Sequence, residues 1–147
     1  MYNWIFLPLL LTSQSPTNNE SYRYSWFEVF DALAWKESNH GQNTTSERAK
    51  KENAVGWYQI RPIYVRDVNR ILKLQGKKKR FKLEDRKSKH KSEQMIKILT
   101  TFYIKHYKLP LTVENVARIH NGGAKGWKKK STLKYWQAVR DYLLKRK

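Results

Sequence analysis

The chain has no cysteine among its 147 residues, which excludes a disulfide framework and a thiolate zinc site. At that length one hydrophobic core suffices without staples, and a single domain is expected. The lack of cysteine sets no compartment, because a domain of this size can be exported without disulfides. Acidic residues are scarce too: 12 Asp and Glu stand against 31 Lys and Arg, a formal charge of +19. That is enough to attract a polyanion across a Debye length of about 8 Å. Four scattered histidines without an HExxH pattern give no metal site, and there is no GxSxG, Walker loop or dinucleotide fingerprint. No cofactor of any kind is expected. No apolar run reaches the roughly twenty residues of a membrane span, and neither an internal repeat nor a convincing alternating strand is present.

What the N-terminus does hold is Trp4-Ile5-Phe6-Leu7-Pro8-Leu9-Leu10-Leu11, then Thr12-Ser13-Gln14-Ser15 and Pro16. An apolar run followed by small and polar residues reads as a short secretory signal over residues 1–15. This leaves 16–147 as the domain and predicts a secreted or periplasmic protein. The run is preceded by no Lys or Arg, and the alternative is an apolar arm packed on the domain.

Helical periodicity dominates the remainder. Over residues 24–38, Trp26, Phe30, Leu33 and Ala34 form one apolar stripe, and Glu37, three turns and about 20° beyond Trp26, continues it. Asn39, His40 and Gly41 stop that helix. Residues 42–53 lack either periodicity and read as a loop or small irregular hairpin. Pro62 opens a second helix with Tyr64, Val68, Ile71 and Leu72 on its buried face, ending at Gly76. Ser92 is expected to cap a helix to about Tyr107, with Met95, Ile98, Leu99, Phe102 and His106 on one side. Thr112 caps a shorter one with Val113, Val116 and Ala117 inward, and Ser131 or Thr132 opens a last helix packing Leu133, Trp136, Val139 and Leu143. Two stretches are strongly basic: residues 73–91, with ten Lys or Arg and two acids, and 125–147, with nine and one. Both read as solvated surface or as binding surface.

Three short segments carry chemistry. Glu37-Ser38 ends the first helix, Gly56-Trp57-Tyr58-Gln59-Ile60 follows the irregular loop, and Ala117-Arg118-Ile119-His120-Asn121-Gly122-Gly123 comes sixty residues later. Breaking a glycosidic bond needs a protonated carboxylic acid at the leaving oxygen. Glu37 suits that role, since the apolar stripe and the negative end of its own helix both disfavour its carboxylate form. The structural alternative is a salt bridge to one of the many basic residues. Gly56 allows close backbone approach, and Gln59 offers an amide that both donates and accepts. Trp57 and Tyr58 belong to the core or stack on a sugar ring, and Ile60 reads as core.

In this order and spacing, the segments resemble the signature of lysozyme-like lytic transglycosylases and goose-type lysozymes, ES, then GLMQI, then AYNxG, over residues 26–142. The resemblance implies a mainly α, lysozyme-like (α+β) fold: one globular helical domain with a small irregular or β-hairpin loop after the first helix. It further implies cleavage of the bond between muramic acid and glucosamine in peptidoglycan, with Glu37 as catalytic acid and Ser38, Gln59, Ile60, His120 and Asn121 binding substrate. His120 stands where the signature has tyrosine, and a histidine's charge varies near neutrality. Transglycosylation is the first expectation, because no second carboxylate has a motif. The alternative is a hydrolysing muramidase, for which Glu47 or Glu52 is the first place to look for a base. The expected partners are glycan strands and anionic wall polymers, met by a monomer that binds nucleic acid only non-specifically. From a different class, a nucleic-acid-binding protein would draw on the basic runs and on Phe81 and Trp127 among them.

Overall fold

The structure is a computed structural model that describes residues 9–11 and 22–146, with side chains from residue 24 onward. The expected signal lies outside the described residues except for strand β1 (Leu9–Leu11). Its backbone pairs antiparallel with β2 (Tyr22–Tyr24), Leu9 opposite Tyr24 and Leu11 opposite Tyr22. This two-stranded ribbon has no counterpart in the sequence reading. Tyr24 ends it buried in the core.

Helix α1 (Trp26–Ser38) opens with a capping box: the Ser25 hydroxyl accepts from the Glu28 N–H, and the Glu28 carboxylate accepts from the Ser25 N–H at 2.7 Å. It stops where expected, at Asn39, His40 and Gly41, whose φ angles of 50°, 56° and 83° form a left-handed exit. Gly41 is required for a second reason, since a Cβ there would lie 2.5 Å from the Trp57 indole nitrogen.

The expected irregular loop instead contains a short helix, α2 (Glu47–Glu52), capped by Ser46 accepting from the Ala49 N–H at 3.1 Å. Only Ala49 in it is buried, so six residues of helix leave no apolar stripe to read. The hairpin element comes just after, where a single bridge joins Val55 to Ile60 across the Gly56–Gln59 turn.

Helix α3 (Pro62–Leu74) begins at its proline and buries Val65, Val68, Ile71 and Leu72. The basic connection includes a 3-10 turn, Leu83–Lys87. Helix α4 (Lys89–His106) starts earlier than expected because Ser88, not Ser92, is its cap. Ser92 is buried, and its hydroxyl donates to the Arg86 carbonyl. Packing against both α3 and α5 (Val113–Gly122) rotates the buried face of α4 onto Met95, Ile96, Leu99, Thr100, Tyr103 and Ile104. Ile98 and Phe102, expected inside, flank it half-buried.

Helix α5 follows its Thr112 cap as expected, with Val113, Val116 and Ala117 fully buried. Helix α6 (Leu133–Lys145) follows Thr132, which does not cap it. Its hydroxyl turns back to donate to the Gly126 carbonyl at 2.8 Å. Helices α4 and α6 both pack on α5, and α1 packs on α6. The core between them holds Val29, Leu33, Tyr58, Ile71, Met95, Val116, Ile119 and Val139, all 0 % exposed. Each such aliphatic contributes about 1.5–3 kcal/mol by its burial. The result is one mainly helical domain, with the ends of α1 and α5 brought together beside α6. No described helix is long and apolar enough to cross a membrane.

Candidate active site

Glu37 sits on the last turn of α1 with its side chain 19 % exposed. The Tyr135 hydroxyl, from α6, donates to its Oε1 at 2.8 Å. His120, from α5 and nearly buried, places Nε2 3.3 Å from the same oxygen. The Tyr64 hydroxyl, from α3, lies 3.1 Å from His120 Nδ1. When that phenol donates to Nδ1, the imidazole carries its proton on Nε2, the nitrogen nearer Glu37. Burial first, and the nearby Glu37 charge second, hold both Tyr64 and Tyr135 well above the ordinary tyrosine pKa. They therefore remain protonated donors at any working pH.

Both contacts converge on Oε1, and no hydrogen bond to Oε2 is present among the described residues. That is the oxygen able to carry a proton toward a leaving group. No Lys or Arg pairs with Glu37 among the described residues, so the structural alternative of a salt bridge to a basic side chain is not realised.

The open side of Glu37 faces a pocket of about 310 Å³ lined also by Gln59, Tyr64, His120 and Asn121, with Arg48, Arg61 and Lys129 around it. Gln59 adopts a left-handed φ of 49°, uncommon for a non-glycine residue. Its amide nitrogen donates to the Gly56 carbonyl at 2.9 Å, which leaves its oxygen able to accept from a hydroxyl or amide donor in the pocket. Three of the expected binding residues, Gln59, His120 and Asn121, are thus assembled with Glu37.

Two are not. Ser38 is 2 % exposed and directed away from the pocket. Its hydroxyl donates to the Trp57 carbonyl at 2.7 Å and accepts from the Gly41 N–H at 2.8 Å. It ties the helix that carries the acid to the turn that carries Gln59. Ile60 is 1 % exposed and belongs to the core. In the same turn Tyr58 is fully buried, its hydroxyl donating to Glu93 at 2.6 Å. Half-buried Trp57 packs on Gly41 with Lys89 over its ring.

That turn is held from behind by Arg86, 7 % exposed. Its guanidinium donates to the Asn53 carbonyl at 2.7 Å and the Ile60 carbonyl at 3.2 Å, and burial lowers its pKa. A Cβ on Gly56, at φ 82°, would lie 2.1 Å from the Arg86 carbonyl oxygen, so close backbone approach is what this glycine provides. Sequence reasoning missed Arg86, Tyr135 and the polar tip of Tyr64. An available signal was a tyrosine beside an apolar stripe, as Tyr135 is beside Trp136 and Val139, since buried phenols need a partner.

Glu47 and Glu52 do not line the pocket. Glu47, its side chain 93 % exposed, pairs with Lys50, and Glu52 pairs with Arg48. Phe81 is buried and Trp127 half-buried against the core, so neither offers a free stacking platform among the basic runs.

No protein-family model matches the chain. An invertebrate-type lysozyme from Ruditapes philippinarum is 49 % identical over 37 residues, 25 % of this chain and 27 % of that protein. The match thus spans little more than a quarter of the relative. Among solved structures, the complex of Aeromonas hydrophila PliI with Meretrix lusoria lysozyme matches with a TM-score of 0.62 at 23 % identity, covering 78 % of this chain and 87 % of that one. The inhibitor-bound lysozyme from Meretrix lusoria gives 0.60 at 23 % over the same shares. Tapes japonica lysozyme gives 0.58 at 21 %, over 77 % and 86 %. The fold is that of a lysozyme. The narrower expectation of a transglycosylase or goose-type domain gives way to this coarser statement, because the lysozyme named by type is an invertebrate one.

Proposed function

Starting from a lysozyme fold with one half-buried acid at its pocket, we propose that the chain is a muramidase. It would hydrolyse the bond between N-acetylmuramic acid and N-acetylglucosamine in peptidoglycan, with Glu37 as general acid. The observation that carries this reading is that Tyr135 and His120 both approach Glu37 through Oε1. Tyr135 and His120 fix the carboxyl group from one side, and Oε2 points its proton at the glycosidic oxygen. Gln59 and Asn121 bind the sugar on either side of the acid. As the bond breaks, Glu37 becomes a carboxylate and can take a proton from the incoming water, so one group serves both steps. Hydrolysis is placed first because the similar proteins are lysozymes. The site of action would be a wall reached by secretion.

A second reading, lytic transglycosylation, is favoured by one observation: among the described residues Glu37 is the sole carboxylate lining the pocket, and Arg48 stands on the α2 side, where the hydrolytic expectation looked for a base. In that case Glu37 would take its proton from the muramyl hydroxyl and close an anhydro ring. Mass spectrometry of sacculi digested with the purified chain, before and after borohydride, separates the two. Reducible ends are expected. Anhydro-muramyl ends that borohydride leaves intact would transfer the assignment to the transglycosylase, and no cleavage by either route would overturn the enzymatic reading.

A further inference from the structure

Resting on that reading, we infer that the preferred substrate is an acidic glycan: a strand whose muramic acid residues carry a free lactyl carboxylate because the stem peptide has been removed. The pocket brings three cations, Arg48, Arg61 and Lys129, around one acid, Glu37. Two of the three are not neutralised by any described carboxylate. Arg61 is exposed at the start of α3 and makes no side-chain hydrogen bond or ion pair among the described residues. Lys129 is held only by the Gly122 carbonyl at 2.7 Å. Arg48 pairs with Glu52 at the surface, its side chain 79 % exposed, and exchanges that partner at little cost.

The cationic lining continues. A second cavity of about 470 Å³ shares Arg61, Tyr64, His120 and Gly122 with the first and adds Arg66 and Arg70. Of these, Arg70 is satisfied by Asp67, while Arg66 is exposed without a described partner. The two cavities adjoin along Arg61, Tyr64, His120 and Gly122, so cations without a described partner line both.

This charge is set against the chemistry. Glycosidic cleavage passes through an oxocarbenium-like transition state, which is positive. Free cations beside it oppose that charge unless the substrate brings anions of its own. A carboxylate on the muramyl ring supplies one at every second sugar, on a tether short enough to stay in the pocket. A guanidinium and an ammonium are the groups that bind it through charge-assisted hydrogen bonds. Stem peptides place their carboxylates several bonds further out, beyond a pocket this small.

The test compares three forms of the same glycan strands: peptide-bearing, stripped by an amidase, and stripped then amidated so that every lactyl carboxylate is neutral. The expected kcat/KM is at least tenfold higher on stripped strands than on amidated ones, and higher than on peptide-bearing ones. In the R61Q/K129Q variant the rate on stripped strands falls toward that on amidated strands. The R61Q single variant, which removes no internal contact, moves the same way if the double variant folds poorly. Equal rates on all three forms of strand would overturn the inference while leaving the muramidase reading standing, as would preference for peptide-bearing strands. Absence of cleavage on every form would instead remove the reading on which it rests.

Discussion

Helices α1 and α6 run antiparallel and meet at two sites built from the same side-chain types. At one, Glu37 of α1 accepts from Tyr135 of α6 with His120 beside it. At the other, Asp31 of α1 accepts from Tyr142 of α6 at 2.9 Å, with His40 Nε2 at 3.0 Å. The difference is a cation and access to solvent. Arg146 reaches Asp31 at 2.6 Å, and the imidazole of His40 is 32 % exposed where that of His120 is 3 % exposed. A neutralised, wetter carboxylate ties the middle of α1 to the end of α6. An acid without an arginine partner among the described residues, its histidine buried, is the one proposed for proton transfer.

The sharpest break in this pairing is at the acids. Glu37→Gln is expected to lower cleavage of sacculi by about 10²- to 10⁴-fold with an unchanged circular dichroism spectrum. Asp31→Asn is expected to keep activity within a few fold but lower Tm by roughly 2–4 °C, the loss of about 1 kcal/mol in a domain this size. Release of soluble muropeptides and thermal melts read both, and an active Glu37→Gln protein would falsify the assignment of the acid.

A smaller contrast lies in the tyrosines. Tyr135→Phe removes the shorter contact to Oε1, so kcat should fall about tenfold with KM little changed, as for a group that positions the acid. Tyr142→Phe should leave kcat alone and act only on Tm. Equal effects of the two on kcat would mean that the sites are not functionally distinct.

The smallest expected effect is alkaline. Unfolded tyrosines titrate near their ordinary value of 10.0, whereas the folded chain holds Tyr64 and Tyr135 well above it and Tyr103 at about 12. Above pH 10 the unfolded chain has therefore lost more protons than the folded one, and stability must fall as pH rises. Urea midpoints at pH 9, 10.5 and 11.5 should decline in that order. The decline should be shallower in Tyr135→Phe than in Tyr142→Phe, whose hydroxyl is raised less.

These contrasts also mark what a sequence can disclose. That Glu37, Gln59, His120 and Asn121 share one pocket was legible because helix periodicity and three short segments fixed both their types and their spacing, and the five longer helices followed from apolar stripes. Ser38 and Ile60 were misassigned because adjacency in a motif does not say which neighbour turns inward. The cap of α4 slipped from Ser92 to Ser88 because both serines precede the same apolar run. The partners of Tyr135 and Arg86 could not be read off, since each acts on a residue at least twenty-six positions away, and only the phenol beside the α6 stripe hinted that Tyr135 needed one. The cationic lining was hidden for the opposite reason: Arg48, Arg61 and Lys129 were lost among many other basic residues until folding gathered them.

The turn that carries Gln59 is fastened to the Arg86 segment by hydrogen bonds and by the close approach of Gly56, with no covalent link. A covalent clamp would restrict the denatured chain as well as the native one, but this fastening exists only once the protein has folded. Thiol reagents can neither open nor lock it, and renaturation needs no oxidant or disulfide shuffling. Reducing buffer therefore leaves this fastening untouched, and the reagents expected to loosen the pocket's turn first are those that compete for two backbone carbonyls.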